Sequence, residues 1–140
     1  MEAEQPGPQS YEISAAISRE VIRLVKSLTG RGPTKAKTYL ENECVLVLMR
    51  DAHTPSEGTL ATGGRQRAVA QTRVDISEHA RQQFINLIEE HTGRKVMGFI
   101  SGSQQDPSLL AQVYVLETSP LLSAVPEGEA SDADASDPPG

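Results

Sequence analysis

Between Val21 and Leu40 the chain carries five basic side chains, Arg23, Lys26, Arg31, Lys35 and Lys37, and no acidic one. Such a run sets up a positive field suited to phosphates, carboxylates or an anionic surface. Three of the five belong to the glycine-rich stretch Thr29-Gly30-Arg31-Gly32-Pro33-Thr34-Lys35-Ala36-Lys37, and its Thr-Gly-Arg triplet returns at Thr92-Gly93-Arg94. The spacing fails the glycine, four residues, glycine, lysine pattern of a phosphate loop. The stretch also follows a predicted helix C-terminus, whose partial negative charge repels phosphate, whereas phosphate loops open a helix N-terminus. Nucleotide hydrolysis is rejected on both grounds. Arg31, Lys35, Lys37 and Arg94 are left as candidate contacts for a partner or an anion, and Gly30, Gly32, Pro33 and Gly93 are assigned to loop geometry.

Other chemistry-bearing residues form no constellation. His53, His79 and His91 are far apart with no cysteine beside them, so metal-ligand spacing is missing. Asp51 and Asp106 flank predicted strands, and turn chemistry explains them better than acid–base catalysis, since neither has an evident catalytic partner. Cys44, the single cysteine, excludes an intrachain disulfide and is expected to be a small buried hydrophobe. No catalytic set, cofactor or metal is implied, and the expectation is a protein that is not an enzyme. Nucleic-acid or anion binding through loop 31–37 is the alternative, disfavoured because Tyr39 is the one aromatic available for stacking and the chain is acidic overall.

That acidity sits at the ends. Glu2, Glu4, Glu127, Glu129, Asp132, Asp134 and Asp137 are seven acids without a basic neighbour; removing them from the net charge of -6 leaves the middle near +1 (-6 plus 7). Residues 1–10 and 119–140 read as disordered tails, polar and rich in Pro, Gly, Ser and Asp, around a single domain at 11–118. With aromatics at 4% and no Trp, the core is expected to rest on Ile, Leu and Val. No basic and apolar leader opens the chain and no apolar run is long enough to span a bilayer, so a cytoplasmic protein is expected.

The elements that must position the basic residues follow from periodicity. Ser10 is a candidate cap, and Ile13, Ile17, Val21, Leu24 and Leu28 share one helical face that Gly30 and Pro33 terminate. Lys35 to Leu40 alternates, with Ala36, Thr38 and Leu40 turned inward. Cys44 to Met49 is a continuous apolar run, expected to be covered more fully and to pair with the first strand as a hairpin. Thr54, Pro55 and Glu57 carry a capping-box signature for a short helix ending at Gly63 and Gly64. A longer helix begins near Gln66 and shows Val69, Ile76, Ala80, Phe84 and Leu87 on one face. Unbroken to His91, it would run roughly 39 Å at 1.5 Å per residue. It either restarts at Asp75 or projects towards a partner, and this length is the basis for expecting a homo-oligomer, a dimer being favoured. Val96 to Ile100 and Leu110 to Leu116 complete a second hairpin, with Gly102 to Pro107 as its polar connection.

Sliding the sequence by 63 residues superposes the two Thr-Gly-Arg triplets and carries Ile13, Ile17, Val21, Leu24 and Leu28 onto Ile76, Ala80, Phe84, Leu87 and His91, four of the five staying apolar. A helix-strand-strand unit thus occurs twice, in the order α-β-β-α-α-β-β. The fold class is α+β: a two-layer sandwich with a mostly antiparallel four-stranded sheet and the helices on one face.

The pattern Leu28 to Lys37, the apolar strand ending in Arg50 and Asp51, Thr54 to Glu57 with Leu60, Leu87, His91 to Val96, Asp106-Pro107 and Val113 to Glu117 resembles the MpsC-like domain family. That family is named for a proposed sodium-translocating, membrane-potential-generating system, and the resemblance spans roughly residues 11 to 117. Gly63 to Gln66 and the acidic tail depart from its pattern. The resemblance implies a soluble accessory or regulatory subunit, peripheral to the membrane through membrane-protein partners that themselves pass the ions.

Overall fold

A computed structural model describes residues 8–50, 59, 62–105 and 107–117. Helix α1 is Pro8–Thr29. It begins two residues before the expected Ser10 cap, because proline lacks an amide hydrogen and has a preset φ that suits the first turn. Ile17, Val21 and Val25 are buried along it, with Ile13, Leu24 and Leu28 packed beside them. Strands β1, Lys35–Leu40, and β2, Cys44–Arg50, pair antiparallel from Leu40↔Val45 to Lys35↔Arg50. The capping box at Thr54 to Glu57 lies outside the described residues.

Helix α2, Gln66–His79, starts where expected, and α3, Arg81–Thr92, follows at once. The restart expected at Asp75 lies instead at Ala80, whose backbone (φ -97, ψ 20) leaves the helical range. Asp75 serves the helix itself, accepting a 2.9 Å bond from Gln71, while Glu78 pairs with Arg81 across the joint at 3.0 Å. The bend replaces the projecting helix and removes that argument for an oligomer. Strands β3, Val96–Gln105, and β4, Ser108–Leu116, reach further than predicted. The stretch from Gly102 to Gln105, expected as connection, is paired with Ala111 through Ser108. Its Ser and Gln residues suit a strand at the sheet edge, where hydrophobicity is not demanded of every position.

The sheet order is β1-β2-β4-β3, antiparallel throughout. Val45, Val47, Met49, Leu110, Tyr114 and Leu116 are buried on one face, beneath the helices: α1 lies on β1, α2 on β3, and α1 packs against α3. The expectation that β2 is covered more fully fails. Cys44, Leu46 and Leu48 are only half-buried, because among the described residues all three helices lie on the opposite face. The core is also less aliphatic than expected. Both phenylalanines and Tyr114 join in it, with ring centroids 6.2 Å apart for Phe84 and Phe99 and 4.9 Å for Phe99 and Tyr114. Offset ring contacts contribute about 0.5–1.5 kcal/mol beyond area burial.

The 63-residue offset extends into the sheet. It carries inward-facing Ala36, Val47 and Met49 onto inward-facing Phe99, Leu110 and Gln112, while the register of the second hairpin is shifted by two residues, Thr38 facing Val47 but Ser101 facing Gln112. Because Phe84 bridges α3 to the ring stack, Phe84→Ala should cost about 3–5 kcal/mol, read as a lower urea midpoint with an unchanged slope.

Candidate functional site

Each Thr-Gly-Arg triplet ends a helix by one mechanism. Thr29 Oγ1 donates to Val25 O at 2.9 Å and accepts from Arg31 N at 3.3 Å; Thr92 Oγ1 donates to Ile88 O at 2.8 Å and accepts from Arg94 N at 3.2 Å. Gly30 N and Gly93 N donate to Lys26 O and Glu89 O, both at 2.8 Å. Gly30 (φ 88) and Gly93 (φ 70) take the left-handed conformation that closes a helix with little strain only in glycine. Gly32 answers a different need, since a Cβ there would lie 3.1 Å from Ile22 Cγ2 and 3.3 Å from Ile22 O. With Pro33 buried after it, the loop lies tight on α1.

The two arginines then part company. Arg94 Nη1 donates to Asn42 O at 2.6 Å and Nη2 to Glu117 O at 2.8 Å, tying the β1–β2 turn to the end of β4. Glu89 completes the joint by accepting Val96 N at 2.9 Å. Arg94 is thereby a strut. Arg31, its equivalent, is exposed and its side chain engages no described residue.

Lys35 and Lys37 project from the face of β1 turned away from the helices, both exposed, and Lys37 Nζ stands 5.1 Å from the centroid of the Tyr39 ring. Directly across from Lys35 sits Arg50, also exposed and also on the outer face. Like charges facing each other across a strand pair are destabilising, and no described carboxylate neutralises them. Arg50 was not among the predicted contacts. The signal for it is the hairpin register: closing the turn at Leu40 and Val45 brings Lys35 opposite Arg50. The sequence-predicted residues thus separate into a basic margin of Arg31, Lys35 and Lys37, joined by Arg50, and a structural Arg94 at the other end of the strands.

Polar residues also enter the interior, which periodicity did not foresee. Val69, Arg73 and Ser77, four residues apart, are the buried face of α2. Below them Gln112 donates to Ser77 Oγ at 3.4 Å and accepts from Tyr114 Oη at 2.6 Å. Burial raises the Tyr114 phenol well above its ordinary range, which keeps it a donor. Cys44 is half-buried on the outer face rather than in the core, and its thiol is raised above its ordinary value first by burial, then by Glu41 and Glu43. A shallow cleft of about 520 Å³ between α1 and α3 is lined by Glu20, Arg23, Leu24 and Glu90, among others, and His91 Nε2 lies 2.9 Å from Glu20 Oε2. Among the described residues no group of His, Cys, Asp or Glu is placed to hold a metal ion, and Asp51, His53 and Asp106 lie outside them.

The division between strut and free arginine is measurable. Arg94→Ala should lower stability by about 1–2 kcal/mol, the loss of charge-assisted bonds at a partly solvated site, whereas Arg31→Ala should stay within about 0.5 kcal/mol. Gly30→Ala and Gly93→Ala should each cost about 1–2 kcal/mol through left-handed strain, all read from urea midpoints.

Among the described residues no helix is long and apolar enough to cross a membrane. No curated protein and no solved structure matches the chain. A family model does, over residues 9–118, which takes in every helix and strand described except the first residue of α1. The chain belongs to the MpsC family, whose description is Na+-translocating membrane potential-generating system.

Proposed function

We propose that this protein is a non-enzymatic accessory or regulatory component of a membrane potential-generating system, docking on an acidic surface of a membrane-embedded partner. The observation that carries the reading is a basic margin that no described carboxylate compensates: Lys35 opposed to Arg50 across the β1–β2 ladder, with Lys37 and Arg31 exposed nearby. A chain does not lower its own free energy by facing two cations without a carboxylate between them. A partner's Asp or Glu supplies the missing charge, through bidentate bonds in the case of the arginines. Family membership supports the membrane side of the reading. Ions pass through the partner, and this chain contributes contact and control.

The same cations favour a second reading, contact with phosphates of a nucleic acid or another polyanion. The two differ in their salt dependence and in what is captured. Purified chain bearing an affinity tag should retain an integral membrane protein from detergent extracts, and Arg31→Glu with Lys35→Glu and Lys37→Glu should reduce that capture at least about tenfold. Capture unaffected by the three reversals, or recovery of non-membrane proteins alone, contradicts docking through this margin. Oligonucleotide affinity that falls linearly on a log–log plot with salt, and disappears with the reversals, would select the phosphate reading instead.

A further inference from the structure

The sheet has a second apolar face. Opposite the helices, Tyr39, Leu46, Val113 and Ile100 form one continuous row across all four strands, since Tyr39 pairs with Leu46, Leu46 with Val113 and Val113 with Ile100. Tyr39 is 39% exposed and Ile100 64%. The neighbouring rows are Lys37-Leu48-Ala111-Gly102 on one side and Cys44-Val115-Gly98 on the other. Gly98 and Gly102 flank Ile100, and the Cβ position of Gly102 has nothing within 4 Å, so the edge strand leaves shallow room beside an exposed isoleucine. No described residue lies over this face.

On its β1–β2 side the two ends of the face carry opposite charge: Lys35, Lys37 and Arg50 stand at one end, and Glu41 and Glu43, in the β1–β2 turn, at the other, while Glu117, after β4, has Arg94 and Lys95 beside it. An anionic membrane or a uniformly acidic partner would be attracted by Lys35, Lys37 and Arg50 and repelled by Glu41 and Glu43. A second copy satisfies both, provided it is turned end for end.

We propose that two copies of this chain pair through the outer face of the sheet, about a two-fold axis parallel to the row Tyr39-Leu46-Val113-Ile100. A rotation about that axis lays the row on itself and reverses the strands. Lys37, one step to one side of the row, then comes over the partner's Glu41, one step to the other side, and the contact is made twice. A two-fold axis parallel to the strands would set Lys37 and Arg50 against the same cationic end of the second copy, and like-charge juxtaposition excludes it. Sheets packed in this way keep their strands within about 30° of one another, some 10 Å apart.

The size of the face sets the strength. Four strands about 4.8 Å apart and seven residues of about 3.3 Å give a patch near 400 Å² per copy, or roughly 800 Å² in total, below the range of stable complexes. The pair is therefore weak and quickly exchanging, with a dissociation constant on the order of 10 µM or above. Lys37 serves both the pair and the docking proposed above, so an acidic partner that takes Lys37 would separate the copies.

Sedimentation equilibrium of the full chain across concentrations bracketing about 10 µM should show monomer and dimer, with dissociation favoured by salt. Ile100→Asp, at a position exposed enough to leave the fold intact, should weaken association at least about tenfold. Lys37→Glu should weaken it too, and Lys37→Glu combined with Glu41→Lys should restore it, which loss of folding would not do. A chain monomeric at every concentration, an Ile100→Asp chain that associates normally, or a charge swap without rescue would overturn the proposal. No membrane enters the experiment, so its failure is distinct from a failure of docking.

Discussion

Among the described residues the sheet is covered on one side only, and the rest of the fold answers to that constraint. Helices α1, α2 and α3 bury Val45, Val47, Met49, Leu110, Tyr114 and Leu116, so every second residue of the inner strands reaches the core. The alternate residues, Leu46, Leu48, Val113 and Val115, remain on a face that water reaches. The hydrophobic gain is concentrated in a single layer between helices and sheet, where the Phe84-Phe99-Tyr114 stack supplies its largest rings. The outer face is left with chemistry to do, and its β1–β2 side carries opposite charge at its two ends.

What holds this one-sided layer in place is the repeated helix stop. A threonine hydroxyl bridging the last turn, followed by a left-handed glycine, ends α1 above β1 and α3 above β3 in the same manner. Both triplets have these geometric parts, and their arginines differ in what they contact. Arg94 is a strut between the β1–β2 turn and β4, whereas the Arg31 side chain engages no described residue. Equivalent backbone positions with different side-chain partners separate architecture from recognition more cleanly than residue type alone.

Much of this layout was legible in the residues. The alternation of Lys35 to Leu40 placed Ala36, Thr38 and Leu40 inward, and the four-residue steps of α1 placed Ile17 and Val21 in the core, because such periodicities are local. The order of elements followed from the repeat. The outer face was misread because a continuous apolar run such as Cys44 to Met49 has one signature whether one side or both are covered, and covering depends on where distant helices land. The bend at Ala80 was not legible either: alanine is the best helix former, so its break comes from packing two helices on one sheet and not from propensity. Arg50 emerged only with the strand register, and the buried Arg73 and Ser77 broke the rule that a buried face is apolar. Arg94 looked like Arg31 until the carbonyls of Asn42 and Glu117 were in place.

Electrostatics at the sheet margin is where fold turns into function. Lys35 and Arg50 face each other with no described carboxylate between them, and an acidic group on a partner would relieve that repulsion. Lysine reactivity mapping tests this most directly: the intact chain is labelled with an amine-specific reagent with and without membranes carrying its partner, and each lysine is read by mass spectrometry. Lys35 and Lys37 should lose most of their reactivity on binding, while Lys95, exposed at the opposite end of the strands, keeps its own. Binding that leaves Lys35 and Lys37 as reactive as in the free chain would contradict docking through the basic margin.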